Sequence, residues 1–272
     1  MSKKVVIFLV VIIFLYLFPH TLLSKNNINN FQIQSEDTVP TMFLPVALIK
    51  DHTLYLDKYY DMMVKRYPHP DDKKQIFGKT PFYLKKVGEH YLSAFPIISA
   101  IISLPVYVFP VMLNMPITWE NLILLSRISS ALVVGLSGVF LYLISKNFTT
   151  EKKSILLTCI YLFASINFAT ISQALWQHGT LELFTLISLY FLLCKNQSSK
   201  SLFYSGLFLG IAVLSRPTAA LAFILIFLYV FKKHGLKNSA LYAVGLLPSV
   251  LFFLLYNQLF YLTISNQGYA SQ

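Results

Sequence analysis

Carboxylates are scarce in this 272-residue chain: there are eleven, and only Glu120, Glu151 and Glu182 lie outside residues 36–89. Charge of either sign is low, at 12% of residues, while 56% are hydrophobic and 15% aromatic. Soluble domains carry about a quarter charged residues, so this balance argues against a water-soluble globule and for a bilayer as solvent. The net charge of +11 does not imply a nucleic-acid partner. Its lysines and arginines fall as short groups at the ends of apolar runs and form no basic face. Cys159 and Cys194, the two cysteines, both sit inside apolar runs, so neither a disulfide framework nor a thiolate metal site is expected. The chain has no glycine loop to cradle a phosphate, no nucleophile elbow and no zinc signature. Their absence argues against nucleotide hydrolysis, serine hydrolysis and zinc peptidase chemistry.

What is present reads as an all-α polytopic membrane protein. Lys3-Lys4 followed by the apolar stretch 5–23 has the charge pattern of a signal sequence without a small-x-small cleavage site, so residues 1–24 are read as a retained anchor helix with a cytoplasmic N-terminus. A polar, Asn-rich connection at 25–35 leads into an outer acidic loop, residues 25–94, with juxtamembrane helices. Residues 95–272 form a multi-span bundle from apolar runs at 95–112, 122–145, 154–174, 181–194, 201–214, 217–231 and 238–264. Lysines mark the cytoplasmic side: Lys3/Lys4, Lys146 with Lys152/Lys153, Lys195 with Lys200, and Lys232/Lys233 with Lys237. The acidic loop, the turn at 176–179, the turn at 215–218 and the C-terminal tail are then outside, at a plasma (inner) membrane. Helix parity requires that 95–112 not cross, and Pro96, Pro105 and Pro110 are expected to break it into a re-entrant or juxtamembrane element. The alternative is a true span with an uncharged inner loop at 113–121. Arg216-Pro217 is expected to divide 201–231, which would otherwise be a helix about 46 Å long.

With that topology the polar residues gather on the outer face. Glu36-Asp37 could supply a general base toward a hydroxyl or amine, or hold a divalent cation, although no complete ligand set is legible. Arg127 and Arg216 lie at matching depths on two runs, and a guanidinium pair facing one cavity could bind a lipid phosphate bidentately. His178 stands in the turn Trp176-Gln177-His178-Gly179, with Glu182 four residues on, a set able to stack on and hydrogen-bond a sugar or phosphate. His90 belongs to the same outer face.

These elements, in this order, resemble the GT-C superfamily of membrane glycosyltransferases, the protein mannosyltransferases and aminoarabinose transferases among them. The likeness rests on Glu36-Asp37-Thr38-Val39-Pro40 with Leu44-Pro45, on Tyr91-Leu92-Ser93-Ala94-Phe95-Pro96, on 174–179, and on the Gly-bearing run 206–218 that ends in Ser215-Arg216-Pro217-Thr218. Relatives commonly have Asp-Glu in the first loop and a Lys-Pro-Pro-like sequence where this chain has Ala-Phe-Pro. The resemblance implies a GT-C-like helical bundle and a polyprenyl-phosphate-linked sugar donor, with inverting transfer on the outer face to an envelope glycan, lipid or protein. Asp37, with Glu36 second, becomes the base or metal contact. Arg127, Arg216 and His178 become the donor-phosphate contacts, and His90, Trp176 and Gln177 the substrate contacts. Membrane lipids are the other expected partners. Relatives are usually longer, so a partner chain supplying further C-terminal helices is also expected. A different class remains open, that of a non-catalytic membrane component: an inactive relative or a lipid-linked-sugar transporter. No internal repeat is visible and the polar groups are interfacial, both of which weigh against a transporter.

Overall fold

The computed structural model describes residues 3–25, 35–194 and 198–264. The Asn-rich connection over 26–34, Lys195 and the tail beyond 264 lie outside the described residues. The chain is mostly helical, and its helices are α1 (Lys3–Lys25), α2 (Val39–Val46), α3 (Tyr60–Arg66), α4 (Ile98–Met112), α5 (Trp119–Ser145), α6 (Glu151–Phe163), α7 (Ile166–Ala169), α8 (Gln177–Leu192), α9 (Ser199–Ser215) and α10 (Ala220–Tyr256). By length and composition, α5 and the segment Pro217–Tyr261 could each cross a membrane, as could α6 taken with the following segment Ile166–Gln173, bent by 42°.

The all-α expectation needs one correction, since the acidic loop contains an antiparallel hairpin. Strand β1 (Leu84–Val87) pairs with β2 (His90–Ser93), Leu84 opposite Ser93 and Val87 opposite His90. Two residues connect the strands, and Gly88 among them takes a φ of 60°, the left-handed region that glycine enters at no steric cost. The hairpin is tied to the preceding turn by Leu56, whose N–H donates to the Tyr91 carbonyl at 2.8 Å.

A second correction concerns 95–112. Pro105 and Pro110 do not interrupt α4, which runs unbroken from Ile98 to Met112; Pro96 precedes it. At 1.5 Å per residue its fifteen residues reach about 22 Å, short of a hydrocarbon core about 30 Å thick. Each proline removes one N–H from the ladder, and packing against α2 and α5 holds the helix.

The loop does not sit apart from the bundle. Every residue of α2 is buried, and its Phe43 ring meets Trp119 of α5 edge-on at 5.3 Å. Arg66, at the end of α3, lies 4.9 Å above the same tryptophan ring. One cluster of buried side chains runs from Val39 and Phe43 through Leu92 and Tyr107 to Leu122 and Tyr256.

Asp72 organises the loop that precedes the hairpin. Its carboxylate accepts backbone N–H bonds from Ile76 at 2.8 Å, Phe77 at 3.1 Å and Lys79 at 3.0 Å. Burial opposes ionisation, but those N–H groups prevail and hold the carboxyl below the usual carboxylate range. A lowered native pKa stabilises the folded loop fully above about pH 4, the unfolded value, and that contribution vanishes as pH falls through the lowered one. The protection of the 76–79 amides against exchange, relative to an unstructured chain at the same pH, should therefore be high at pH 7 and fall in acid. Asp72→Ala should exchange fast already at pH 7, and equal protection in the two proteins at pH 7 would refute the assignment.

Arg216-Pro217 divides the helix as the sequence predicts, and Gly235 makes a second break. Gly235 has φ 77° and ψ 176°, outside helical values. The rings of Phe223 and Tyr242 stack at 5.3 Å, whereas an unbroken helix would hold them about 28 Å apart. The two arms of α10 therefore fold back on each other, with Lys232, Lys233 and Lys237 at the tip. The second arm lies against α9 at backbone distance. A Cβ on Gly206 would come within 1.9 Å of the Tyr242 carbonyl oxygen, and one on Gly245 within 2.3 Å of the Phe203 carbonyl oxygen. Small residues allow this approach in membrane bundles. Gly206→Ala must push the helices apart, at a cost of about 1–3 kcal/mol or more. The thermal unfolding midpoint in detergent should fall by several degrees; an unchanged midpoint would contradict the contact.

Candidate functional site

The site forms where α2, α8 and α9 begin or end. Asp37 lies in the short 3-10 turn Glu36–Thr38 that feeds α2. Thr38 is fully buried and its hydroxyl donates to the Ser35 carbonyl at 2.7 Å, locking the turn. Because α2 is buried throughout, the turn has little room to move, and the Asp37 Oδ1 atom is buried without a hydrogen-bond partner among the described residues. Buried acceptors are almost always satisfied, so this oxygen has acceptor capacity to offer a donor group.

Two helix ends bring the cationic partners. At the end of α9, proline at 217 disfavours the helical region for its predecessor, and Arg216 is extended at φ −155° and ψ 118°. Its N–H still closes the last turn onto the Ala212 carbonyl at 2.9 Å, while its side chain leaves the helix. That guanidinium donates to Nε2 of His178. A donating arginine requires an unprotonated nitrogen there, which places the imidazole proton on Nδ1. His178 is the second residue of α8, a helix started by the extended Trp176 and pinned to α4 by the Ser99 and Thr180 hydroxyls at 2.9 Å. The Asp37 carboxylate acts electrostatically on the same imidazole. The Trp176 ring meets His178 edge-on at 5.6 Å, and its Nε1–H is buried without a hydrogen-bond partner among the described residues. Trp176, His178 and Arg216, expected on one face, thus converge on one spot, and Asp37 is near enough for its charge to reach the imidazole. Gln177, beside them, is buried.

Three other residues on that face lie elsewhere. The Glu36 charge is felt by Tyr83, where burial first and then that charge push the phenol well above its usual range. His90, in β2, pairs through Nδ1 with Asp57 Oδ2 at 2.7 Å and stacks on Tyr55 at 4.0 Å. Asp57 also accepts the Tyr91 N–H at 2.6 Å, so this triad closes the hairpin. Arg127 is buried in α5, and its Nε–H donates to the Gln173 carbonyl at 3.4 Å. The neighbouring Ser126 hydroxyl accepts the Leu175 N–H at 3.2 Å. Together they brace the turn leading into Trp176 and His178. Among the described residues no three His, Cys, Asp or Glu side chains are grouped to hold a metal ion.

The structure adds residues that the sequence did not single out. Tyr161 of α6 donates its hydroxyl to Glu182 Oε2 at 2.5 Å, and Asn167, 2% exposed, leaves Oδ1 without a partner among the described residues. Glu182 is legible in the sequence four residues after His178; Tyr161 and Asn167 carry no such signal.

The loop carries eight lysines between 50 and 86, and the described lysines from 146 onward gather at the other end of the bundle. Asn147 donates to the Leu193 carbonyl at 3.4 Å, joining the end of α5 to the end of α8. Lys200 and Leu241 line one cleft there, next to the α10 bend. Chemically, one end thus offers an unpaired carboxylate, a guanidinium with spare donors, a neutral imidazole and an indole N–H.

No curated protein and no solved structure matches the chain. Residues 103–256 match the family described as dolichyl-phosphate-mannose-protein mannosyltransferase, a segment running from within α4 to the end of α10 that includes Arg127, His178, Glu182 and Arg216, with Asp37 to its N-terminal side. More than half of the chain is covered, and the protein belongs to the dolichyl-phosphate-mannose-protein mannosyltransferase family, membrane glycosyltransferases of the GT-C type.

Proposed function

We propose that this protein transfers a sugar from a polyprenyl-phosphate donor to an envelope acceptor on the outer face of the membrane, with Asp37 as general base and Arg216 as the principal contact of the leaving phosphate. The observation that carries the reading is the buried, unpartnered Asp37 Oδ1 beside the Arg216–His178 pair. In the step proposed, Asp37 takes the proton of the acceptor hydroxyl as its oxygen bonds the anomeric carbon. The bond from that carbon to the phosphate oxygen breaks with its electron pair, and polyprenyl phosphate departs. Attack and departure on opposite faces invert the anomeric centre. Negative charge grows on the phosphate, where a guanidinium already in place stabilises it without reorganisation. An arginine suits this site because it keeps its charge when partly desolvated. The imidazole beside it, neutral at Nε2, does not compete for the phosphate as a second fixed cation would.

Arg127 acts at one remove in this reading, holding the turn at 171–173 from which α8 starts. Counted over the short loops, to which the positive-inside tendency applies, the end with Lys146, Lys152, Lys153, Lys200, Lys232, Lys233 and Lys237 is read as cytoplasmic; in this reading Asp37 and Arg216 are outside and the protein is multi-pass with a cytoplasmic N-terminus. Asp37 could also offer its carboxylate to a divalent cation, whose other ligands would be phosphate oxygens and water, as is usual for magnesium.

Mass spectrometry of envelope glycans and lipid-linked sugars from a deletion strain tests the proposal. Loss of one sugar, accumulation of its polyprenyl-phosphate donor and rescue by the wild-type chain are expected. An unchanged profile, together with no release of polyprenyl phosphate by purified protein given donor and membrane extract, would overturn it.

A further inference from the structure

Directly along α8 from His178, on the same helix face, the bundle opens into a lateral cavity of about 510 Å³ lined by Tyr161, Leu181, Glu182, Thr185 and the segment that begins at Thr218. Glu182 is one helical turn from His178 and Thr218 two residues from Arg216, so the cavity adjoins the site where the leaving phosphate is placed. The walls are mostly apolar, yet they carry the last carboxylate in the chain. A carboxylate in such a place is expensive, and such residues mark binding or transport sites. Its Oε2 accepts from Tyr161 at 2.5 Å, which uses part of the roughly four acceptor positions of an ionised carboxylate. Asn167, buried to 2% exposure and bonded to the Tyr161 carbonyl at 3.2 Å, keeps Oδ1 without a partner among the described residues. Thr185, about one turn on along α8, and Thr218 add hydroxyls to the lining.

We propose that this cavity holds the sugar ring of the donor, with Glu182 accepting hydrogen bonds from sugar hydroxyls; the inference rests on the donor reading above. A sugar presents hydroxyls on its edge and C–H groups on its faces. That pattern matches one acceptor-rich side set among Leu181, Leu186 and Ala222. The volume falls within the range of about 300–1,000 Å³ typical of small-ligand sites. The polyprenyl phosphate oxygen bonded to the anomeric carbon would lie toward Arg216, and the anomeric carbon between Arg216 and Asp37.

The test compares two probes on purified protein in phosphatidylcholine nanodiscs: bare polyprenyl phosphate, and polyprenyl phosphate carrying mannose, glucose or aminoarabinose. Wild type should bind at least one sugar-bearing form more tightly than the bare phosphate. Glu182→Gln should weaken that form about tenfold, the scale of one hydrogen bond to a charged group, and leave the bare phosphate unaffected. Arg216→Ala should weaken both. If Glu182→Gln does not fold, Thr185→Val and Thr218→Val take its place, with bare-phosphate binding as the control for a native site. Equal binding of the sugar-bearing form by wild type and variants overturns the inference. So does a wild type that gains nothing from any of the three sugars. Competition by phosphatidylethanolamine that depends on Glu182 would assign the carboxylate to an ammonium headgroup instead and also overturn it. A wild type that binds neither probe removes the donor reading itself, and this inference with it.

Discussion

Asp37→Asn is expected to lower sugar transfer by about three orders of magnitude while the protein inserts and folds as before. The size follows from the role, since a positioned general base contributes about 10²- to 10⁴-fold. Normal folding follows from the geometry. Asn is isosteric with Asp, the turn is held by Thr38 and by buried α2, and Oδ1 makes no hydrogen bond that the substitution would break. The informative measurement is single-turnover release of polyprenyl phosphate, with thermal unfolding recorded on the same sample. Glu36→Gln is the comparison, because it is the Asp37 charge, not that of Glu36, that acts on His178; if it were the more damaging change, the base would have to move to position 36. Retained transfer in Asp37→Asn removes Asp37 from the mechanism.

The parts of the fold readable from sequence are those that depend on local covalent or solvent constraints. Proline at 217 restricts Arg216 whatever surrounds it, so the break there was visible, and the long apolar runs with lysines at their ends were visible for the same kind of reason. Proline at 105 and 110 misled. A missing N–H weakens a helix only if nothing else supports it, and α4 is supported by α2 and α5, elements remote in sequence. The hairpin was missed because its strands are four residues each and two of the β1 residues are lysines. Gly88 was its one local signal. The site divides in the same way. Asp37, His178 and Arg216 were candidates by residue type and position, but His90 shares their expected face and is claimed by Asp57 and Tyr55, a pairing across more than thirty residues. The Tyr161–Glu182 contact likewise joins two helices at no characteristic spacing, and only the folded chain reveals it.

The second large effect is expected at Arg216. Arg216→Ala should reduce kcat by about 10²- to 10³-fold, the range observed when one pre-placed donor to a developing oxyanion is removed. Arg216→Lys should recover only part of this loss, because a lysine restores a point charge but not a guanidinium fork. Pro217, not the arginine side chain, sets the extended conformation at 216, so the helix break and the start of α10 survive both substitutions. The side chain has two roles that must be told apart, holding His178 and meeting phosphate. His178→Ala removes the first and leaves the second. If Arg216 acts on the phosphate, His178→Ala should cost less than Arg216→Ala, and weaker binding of bare polyprenyl phosphate should appear in the arginine variants. If His178→Ala is as damaging as Arg216→Ala and bare-phosphate binding is unchanged in both, the guanidinium serves to orient the imidazole. The positive charge that meets the leaving group must then come from a group other than Arg216, and Arg127, buried behind the turn at 171–173, would be the residue to substitute next.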